Sequence, residues 1–395
     1  LSAARSAARQ PGAPATMPVT ARPAGEPERL EPAAPRPGSN SRQVRDRLGG
    51  IGVLQLVCWQ LVLVAVVLAL DERWPTIALT AVVAVVVMAL TAVRVRGRWL
   101  YEWLLLSSRY LLRDRHLDLP GAGDTGAALL RLISPEVVGL TGTVDDDREG
   151  TVFMISRAEG ITAVLQPAST VRDLVRATPA PQTLLPAQDE QALAFAVQVV
   201  HHAGINRARP PRTWVALQAL RTVELYRDAD VRQALGNAVR RVQRRLRRDG
   251  LPSRTLAEHE VLGTFAALAH VNAGRGRVRE QWRLWQSGPI TQAVFRLDGW
   301  AELPPAAGPQ LLRWLLSAAP QAAVTVAVTA RRSPTGAEPV LSATLRIAAT
   351  SPAGLESAAD ELAQLARERN VDMERLDGRQ AWGVASTLPL GVVKE

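Results

Sequence analysis

The amino-acid sequence predicts a membrane protein with a two-helix transmembrane hairpin and a cytoplasmic α+β domain whose C-terminal part is ferredoxin-like. Two uncharged apolar runs, residues 51–70 and 74–93, are separated only by Asp71, Glu72 and Arg73. At about 1.5 Å per helical residue each run spans roughly 30 Å, the thickness of a bilayer's hydrocarbon core. Beyond the runs the apolar pattern changes from continuous to periodic. From residue 285 onward it reads strand, helix, strand, strand, helix, strand, the order of a split βαβ unit.

Residues 1–44 come first and are Pro/Ala-rich, with eight prolines in the first forty positions. Little there is aromatic or β-branched, so burial cannot offset the entropy of ordering and a disordered tail is expected. An apolar core with a small-residue cleavage site is also missing from it, so no signal peptide is expected. Arg42, Arg45 and Arg47 precede the first run, and Arg94, Arg96 and Arg98 follow the second. The positive-inside rule then places both termini in the cytoplasm of a cell whose inner membrane holds two spans, with Arg94, Arg96 and Arg98 as orienting residues.

The stretch RVRGRWLYEWLLLSSRYLLRDR follows directly, and residues 94–120 read as an amphipathic exit helix. Trp99, Trp103, Leu106 and Tyr110 share one face, while Arg98, Glu102, Arg109 and Arg113 share another. Such a helix either lies among anionic headgroups or continues the second span as a stalk. Trp99, Trp103 and Tyr110 are candidate interface residues in both cases. Pro and Gly end the helix near 118–120, and residues 121–136 read as a linker.

The soluble remainder divides into an α+β domain, 137–284, and the ferredoxin-like part, 285–395. In the first, 139–143, 151–156, 161–165 and 213–217 read as strands, and 188–204 and 229–248 as helices. Val231, Leu235, Val239, Val242 and Leu246 form the expected buried stripe of the last helix. In the second, 291–297, 322–330, 340–348 and 381–387 read as strands and 309–317 and 355–370 as helices.

Charge and motifs bound the chemistry. The net charge is +10, and Lys394 is the only lysine, so arginine carries the basicity. That balance fits an anionic membrane surface, acidic partner proteins or nucleic acid. Cys58 is the only cysteine, which excludes an intramolecular disulfide or a thiolate cluster. The adjacent His201 and His202 point about 100° apart on a helix, so neither metal nor cofactor is expected there. GAGDTG at 121–126 satisfies G-x-G-x-x-G, but it follows Leu119 and Pro120 rather than a strand and reads as a joint. The sequence has no phosphate loop and no H-E-x-x-H or G-x-S-x-G motif. Asp145, Asp146 and Asp147 lack calcium-loop spacing and read as a solvated turn. Arg240, Arg241, Arg244, Arg245 and Arg248 lie opposite the buried stripe, as a solvated face or a dock for an acidic partner. No aromatics interleave them for base stacking, so nucleic acid is not expected.

The arginine-flanked double run, the exit segment VRGRWLYEWLLLSSRYLL and the C-terminal LDGRQAWGVASTLPLG at 376–391 together resemble EccE, a membrane subunit of the actinobacterial type VII (ESX) secretion machinery. The resemblance spans residues 45–395. It implies a peripheral, non-ATPase, structural component of an inner-membrane assembly with EccB, EccC and EccD-type subunits as partners, and the arginine faces add anionic lipid headgroups as a further expected partner. EccC is the motor of that family, which fits the missing phosphate loop. No catalytic, cofactor or metal residue carries over. Within the C-terminal motif, Leu376, Asp377 and Gly378 read as a turn in which Gly378 is free to take positive φ. The rival reading is a membrane-tethered enzyme acting on a lipid or envelope precursor, with Glu258, His259 and Glu260 as its acid–base candidates.

Overall fold

The computed structural model describes residues 53–71, 73–95, 98–113, 115–118, 125–133, 138–142, 152–168, 173–186, 194–206, 208–222, 227–271, 277–332 and 338–393. The expected tail at 1–44, the orienting Arg96, and Asp145, Asp146 and Asp147 lie outside them. The chain forms two compact units, Leu1–Val95 and Arg96–Glu395.

In the first unit, helix α1 (Val53–Ala69) and helix α2 (Trp74–Ala92) carry no acidic residue in the first turn and no basic residue in the last. Pro75 opens α2, where its fixed φ suits a first turn and its missing N–H is not needed. Among the described residues α2 alone is long and apolar enough to cross a membrane. Of the first run, expected to supply a twenty-residue span, the described part forms the 17-residue helix α1. Leu61, Leu63, Leu68, Leu79 and Val85 are all more than 60% exposed. Gln55 Nε2 donates to Thr91 O at 3.0 Å and Trp59 Nε1 to Thr91 Oγ1 at 2.9 Å, tying α1 to α2. Between apolar helices, polar contacts of about 1 kcal/mol supply orientation that apolar packing alone does not.

The second unit opens with α3 (Leu100–Leu112), β1 (His116–Asp118), α4 (Thr125–Ile133), β2 (Val138–Gly142), β3 (Val152–Arg157) and β4 (Gly160–Pro167). Short helices α5 (Leu174–Ala177) and α6 (Pro181–Leu184) lead to β5 (Phe195–Ala203), β6 (Arg212–Leu220), α7 (Asp228–Arg248), β7 (Ser253–Thr255) and α8 (Glu258–Leu268). Then come β8 (Arg277–Glu280), β9 (Trp285–Ser287), β10 (Ile290–Asp298), α9 (Ala307–Ala318), β11 (Ala323–Arg332), β12 (Pro339–Ala349), α10 (Pro352–Arg367), β13 (Asp372–Arg375) and α11 (Gln380–Ser386). The thirteen strands form one sheet in the order β1-β8-β9-β10-β12-β11-β5-β6-β4-β3-β2, with β13 added beside β10 and β7 beside β4. Its pairings are antiparallel throughout.

This order contains the same arrangement twice. β3-β4-(α5, α6)-β5-β6-α7-β7-α8 is repeated as β9-β10-α9-β11-β12-α10-β13-α11. The strands of the first copy lie as β7-β4-β6-β5 and those of the second as β13-β10-β12-β11. β5 and β11, equivalent edge strands, join the copies antiparallel, with Val199 opposite Val328. An approximate two-fold rotation therefore relates the halves, and the boundary read at 284/285 falls inside the continuous sheet.

Helices cover both faces. On one, α7 packs Leu235, Val242 and Leu246 against Val199 and Leu217, and α9 and α10 pack Leu315, Leu355 and Leu362 against Phe295, Val326 and Leu345. On the other, α4, α8 and α11 bring Leu129, Phe265 and Val384 onto Val164, Trp214 and Val294. Each large side chain so buried contributes about 1.5–3 kcal/mol. Gly126, the last glycine of GAGDTG, lets α4 approach α8: a Cβ there would sit 2.5 Å from Leu262 O.

Three sequence expectations are corrected. Within the expected helix 188–204, the described residues 195–203 form the central strand β5 instead, buried on both faces. Such strands lose alternation and read as near-continuous apolar runs. Residues 381–387, expected as a strand, are helix up to Ser386 with Thr387 as its C-cap; the short segment 372–375 takes the fourth strand position instead. The exit helix is also shorter than 94–120, running from Leu100 to Leu112, with Arg113 already extended.

Candidate functional site

Three neighbouring features use the residues singled out by sequence. The first is the seat of α3. Trp103 stacks on Trp282 with centroids 6.0 Å apart, and Tyr110 meets the same ring edge-on at 5.1 Å. Trp282 sits in the turn between β8 and β9, and Gly378 N donates to its carbonyl at 2.6 Å. Gly378 has φ +73°, and a Cβ there would lie 2.9 Å from the Trp282 ring and 3.1 Å from Leu106 Cγ. The LDG turn thus leaves room for the ring on which the exit helix rests. At the end of α3, Arg113 pairs with buried Glu280, whose Oε1 also accepts from Ala381 N at 2.9 Å. Burial lowers the Arg113 pKa. The aromatic face of α3 therefore meets its own chain.

The second feature is a C-terminal strap. Gln198 Nε2 donates to Ser386 O at 2.7 Å, and Gly391 N returns a bond to Gln198 Oε1 at 2.9 Å. Val392 N donates to Gln218 Oε1 at 2.8 Å, and Thr162 Oγ1 to Leu390 O at 2.9 Å. Arg157 donates to the carbonyls of Leu390 and Val392. Gly383 fits α11 against the sheet, since a Cβ there would lie 2.8 Å from Val294. TLPLG is consequently a belt: α11 lies on the second copy, while residues 388–393 bond to β3, β4, β5 and β6 of the first. Sequence periodicity could not reveal this, because its partners are single polar residues on distant strands.

The third feature is a groove of about 500 Å3 between α8 and the β5–β6 connection, lined by His202, Arg209, Arg212, Trp214, Glu260 and Thr264 among others. On its sheet side a row of registered residues crosses four strands: Arg346, Thr325, His202 and Arg212. His202 Nδ1 lies 2.9 Å from Thr325 Oγ1. Arg346 is 1% exposed and gives one bond, Nη2 to Leu268 O at 2.7 Å, capping the carbonyl end of α8 together with Gln292, which donates to Ala269 O at 2.7 Å. Burial pushes the Arg346 pKa down to about 9. Across the groove Arg254 clamps both oxygens of Glu260 at 2.7 Å, and Ala257 N adds a third bond. These bonds, the guanidinium's first, hold the Glu260 carboxyl down to about 2. Of the three acid–base candidates, only Glu260 lines the groove, and it is a structural ion-pair partner there.

The predicted basic face lies on α7. Val231, Leu235, Val239, Val242 and Leu246 are buried as expected, and Arg241, Arg244, Arg245 and Arg248 are exposed. Arg240 is half-buried and donates to Asn237 Oδ1 at 2.8 Å; Arg245 lies 3.9 Å from Asp249. Arg94 is exposed. Trp99 is half-buried, and its backbone N donates to Glu102 at 3.2 Å, the bond that starts α3. Sequence reasoning missed Trp282, Gln198 and Gln218; the uncharged glutamines inside otherwise apolar strands were the available signal.

An apolar helix long enough to cross a bilayer and a mixed body of helices and antiparallel sheet with arginine-rich surfaces suggest a membrane-associated protein with an α+β body. At the family level, the model for EccE, described as a proposed type VII ESX secretion system translocon, matches residues 207–297. That stretch runs from the β5–β6 connection into β10 and includes α7, α8 and most of the groove. The match supports the resemblance to EccE read from the sequence. None of the curated proteins matches the chain.

Proposed function

We propose that this protein is a non-catalytic structural subunit of a type VII secretion translocon. The observation that carries this reading is the EccE family match at 207–297. In it, α1 and α2 form a transmembrane hairpin with both termini cytoplasmic, and Arg94, Arg96 and Arg98 hold the cytoplasmic side. Each copy in the sheet is read as a ferredoxin-like unit, so the soluble body is a fused pair rather than one such unit after an unrelated domain. The strap and the seat of α3 support a scaffold role, because they hold the two copies and the exit helix together through many weak contacts. The faces left for EccB, EccC and EccD-type partners and for anionic headgroups are the α7 arginines, Arg240, Arg241, Arg244, Arg245 and Arg248, with the outer side of α3 near Trp99.

The test is affinity purification in mild detergent from cells making all the secretion subunits. Recovery in a large complex with the other membrane subunits is expected. Recovery as a lone monomer from the same cells overturns the reading.

A further inference from the structure

The groove between α8 and the β5–β6 connection has a donor surplus that the fold does not use. Among the described residues the guanidinium groups of Arg209 and Arg212 have no ion-pair or hydrogen-bond partner, and both residues are exposed and line the groove. The acid in the described lining, Glu260, has both oxygens engaged by Arg254. Asn206, also in the lining, accepts at Oδ1 from Ala208 N at 3.0 Å. Trp214 is 4% exposed, and its Nε1 is buried without a partner. A buried indole N–H left unpaired is costly, and Trp214 is one of the residues that line the groove. Pro210, Ala267 and Leu268 add apolar wall, and about 500 Å3 is the size of a small-molecule site.

We propose that this groove binds an organic anion, a carboxylate or phosphate joined to a small apolar body. Arg212 and Arg209 hold the charge through charge-assisted bonds, Trp214 Nε1 donates from the floor, and the apolar body lies against Pro210 and Leu268. A clamped Glu260 keeps the opposite wall from neutralising the two arginines. The anion's source is either a soluble molecule or the headgroup of an anionic lipid, which offers the same phosphate.

The experiment uses the full chain in phosphatidylcholine nanodiscs, titrated calorimetrically with phenyl phosphate. Saturable binding is expected, at least tenfold weaker in Arg212→Gln and in Trp214→Phe, and unchanged in Arg367→Gln on the exposed side of α10. Arg212 is exposed and Phe keeps the aromatic bulk at 214, so both variants retain the fold; an unchanged melting temperature verifies this. In phosphatidylglycerol nanodiscs, weaker phenyl phosphate binding shows a competing headgroup, and equal affinity shows a soluble anion; each supports the groove. Absence of saturable binding in phosphatidylcholine, or equal affinity for Arg212→Gln and wild type, overturns the proposal. Binding is a property of the isolated chain, so its loss leaves the secretion reading standing, and a failed subunit purification leaves the groove standing.

Discussion

His201 is 3% exposed within β5, with Nδ1 2.9 Å from Thr213 Oγ1, and His270 is half-buried near the Arg346 charge. Burial lowers the His201 pKa from 6.5 to about 3, and burial together with the Arg346 charge lowers that of His270 to about 4. Both imidazoles are neutral when folded and bind protons more readily when unfolded. Their contribution is complete above pH 6.5 and declines as pH falls, levelling near pH 4 for His270 and near pH 3 for His201. Each group costs about 1.4 kcal/mol per pH unit within its window. The melting temperature should therefore drop between pH 7 and pH 5, and His201→Gln should flatten that slope while lowering the value at pH 7. Gly378 supplies a second residue-scale test. Its φ of +73°, and a Trp282 ring that would stand 2.9 Å from any Cβ added there, leave no room for a side chain. Gly378→Ala should destabilise the chain by about 1–3 kcal/mol, measured as a shift in thermal or urea midpoint.

Elements behave here according to the partners they find. α3 has an aromatic face that would suit lipid, yet Trp103 and Tyr110 close on Trp282. Trp282→Ala should loosen the seat by about 2 kcal/mol and make limited proteolysis release the exit helix faster, with the sheet core still folded. The strap is a stronger case. Removing residues 388–393 deprives Arg157, Thr162 and Gln218 of bonds and leaves Gln198 with one of two. At about 1–3 kcal/mol for each buried group left unpaired, the loss approaches the whole stability of an ordinary domain. That truncation should give insoluble protein, read as soluble yield against the full chain. The segment 188–204 shows the limit of local reading: alanines and an apolar run favour a helix, but Val197, Val199 and Val200 pack between layers as a central strand.

For the whole molecule, the join between β5 and β11 makes each copy dependent on the other. A fragment ending at residue 275 exposes the full β5 edge and lacks the strap, and unpaired apolar edges associate with one another. It should aggregate, seen as loss of a monodisperse peak on size exclusion, even though it contains a complete β-β-α-β-β-α-β-α copy. The exposed arginines of α7 test assembly without touching the core. Replacing Arg241, Arg244, Arg245 and Arg248 with Glu should shift the melting temperature little, because exposed pairs such as Arg245 with Asp249 are worth under about 1 kcal/mol. The same variant should lose co-purifying subunits if α7 is the dock, and keep them if it is a solvated face.

Local sequence was enough to find the apolar runs, the amphipathic faces of α3 and α7, the helices and strands from β10 to α10, and the EccE resemblance. Those features rest on periodicity, charge and turn chemistry, which act over a few residues. Tertiary packing was needed to establish that the second copy's fourth strand is 372–375, that β5 is a strand, that the fold is doubled, and that TLPLG is a belt. It also settled what covers the aromatic face of the exit helix. Each of these depends on partners far along the chain: Trp103 meets Trp282, Gln198 meets Gly391, and Val199 meets Val328. A side chain's type shows that it needs a partner; burial between layers selects which one it gets.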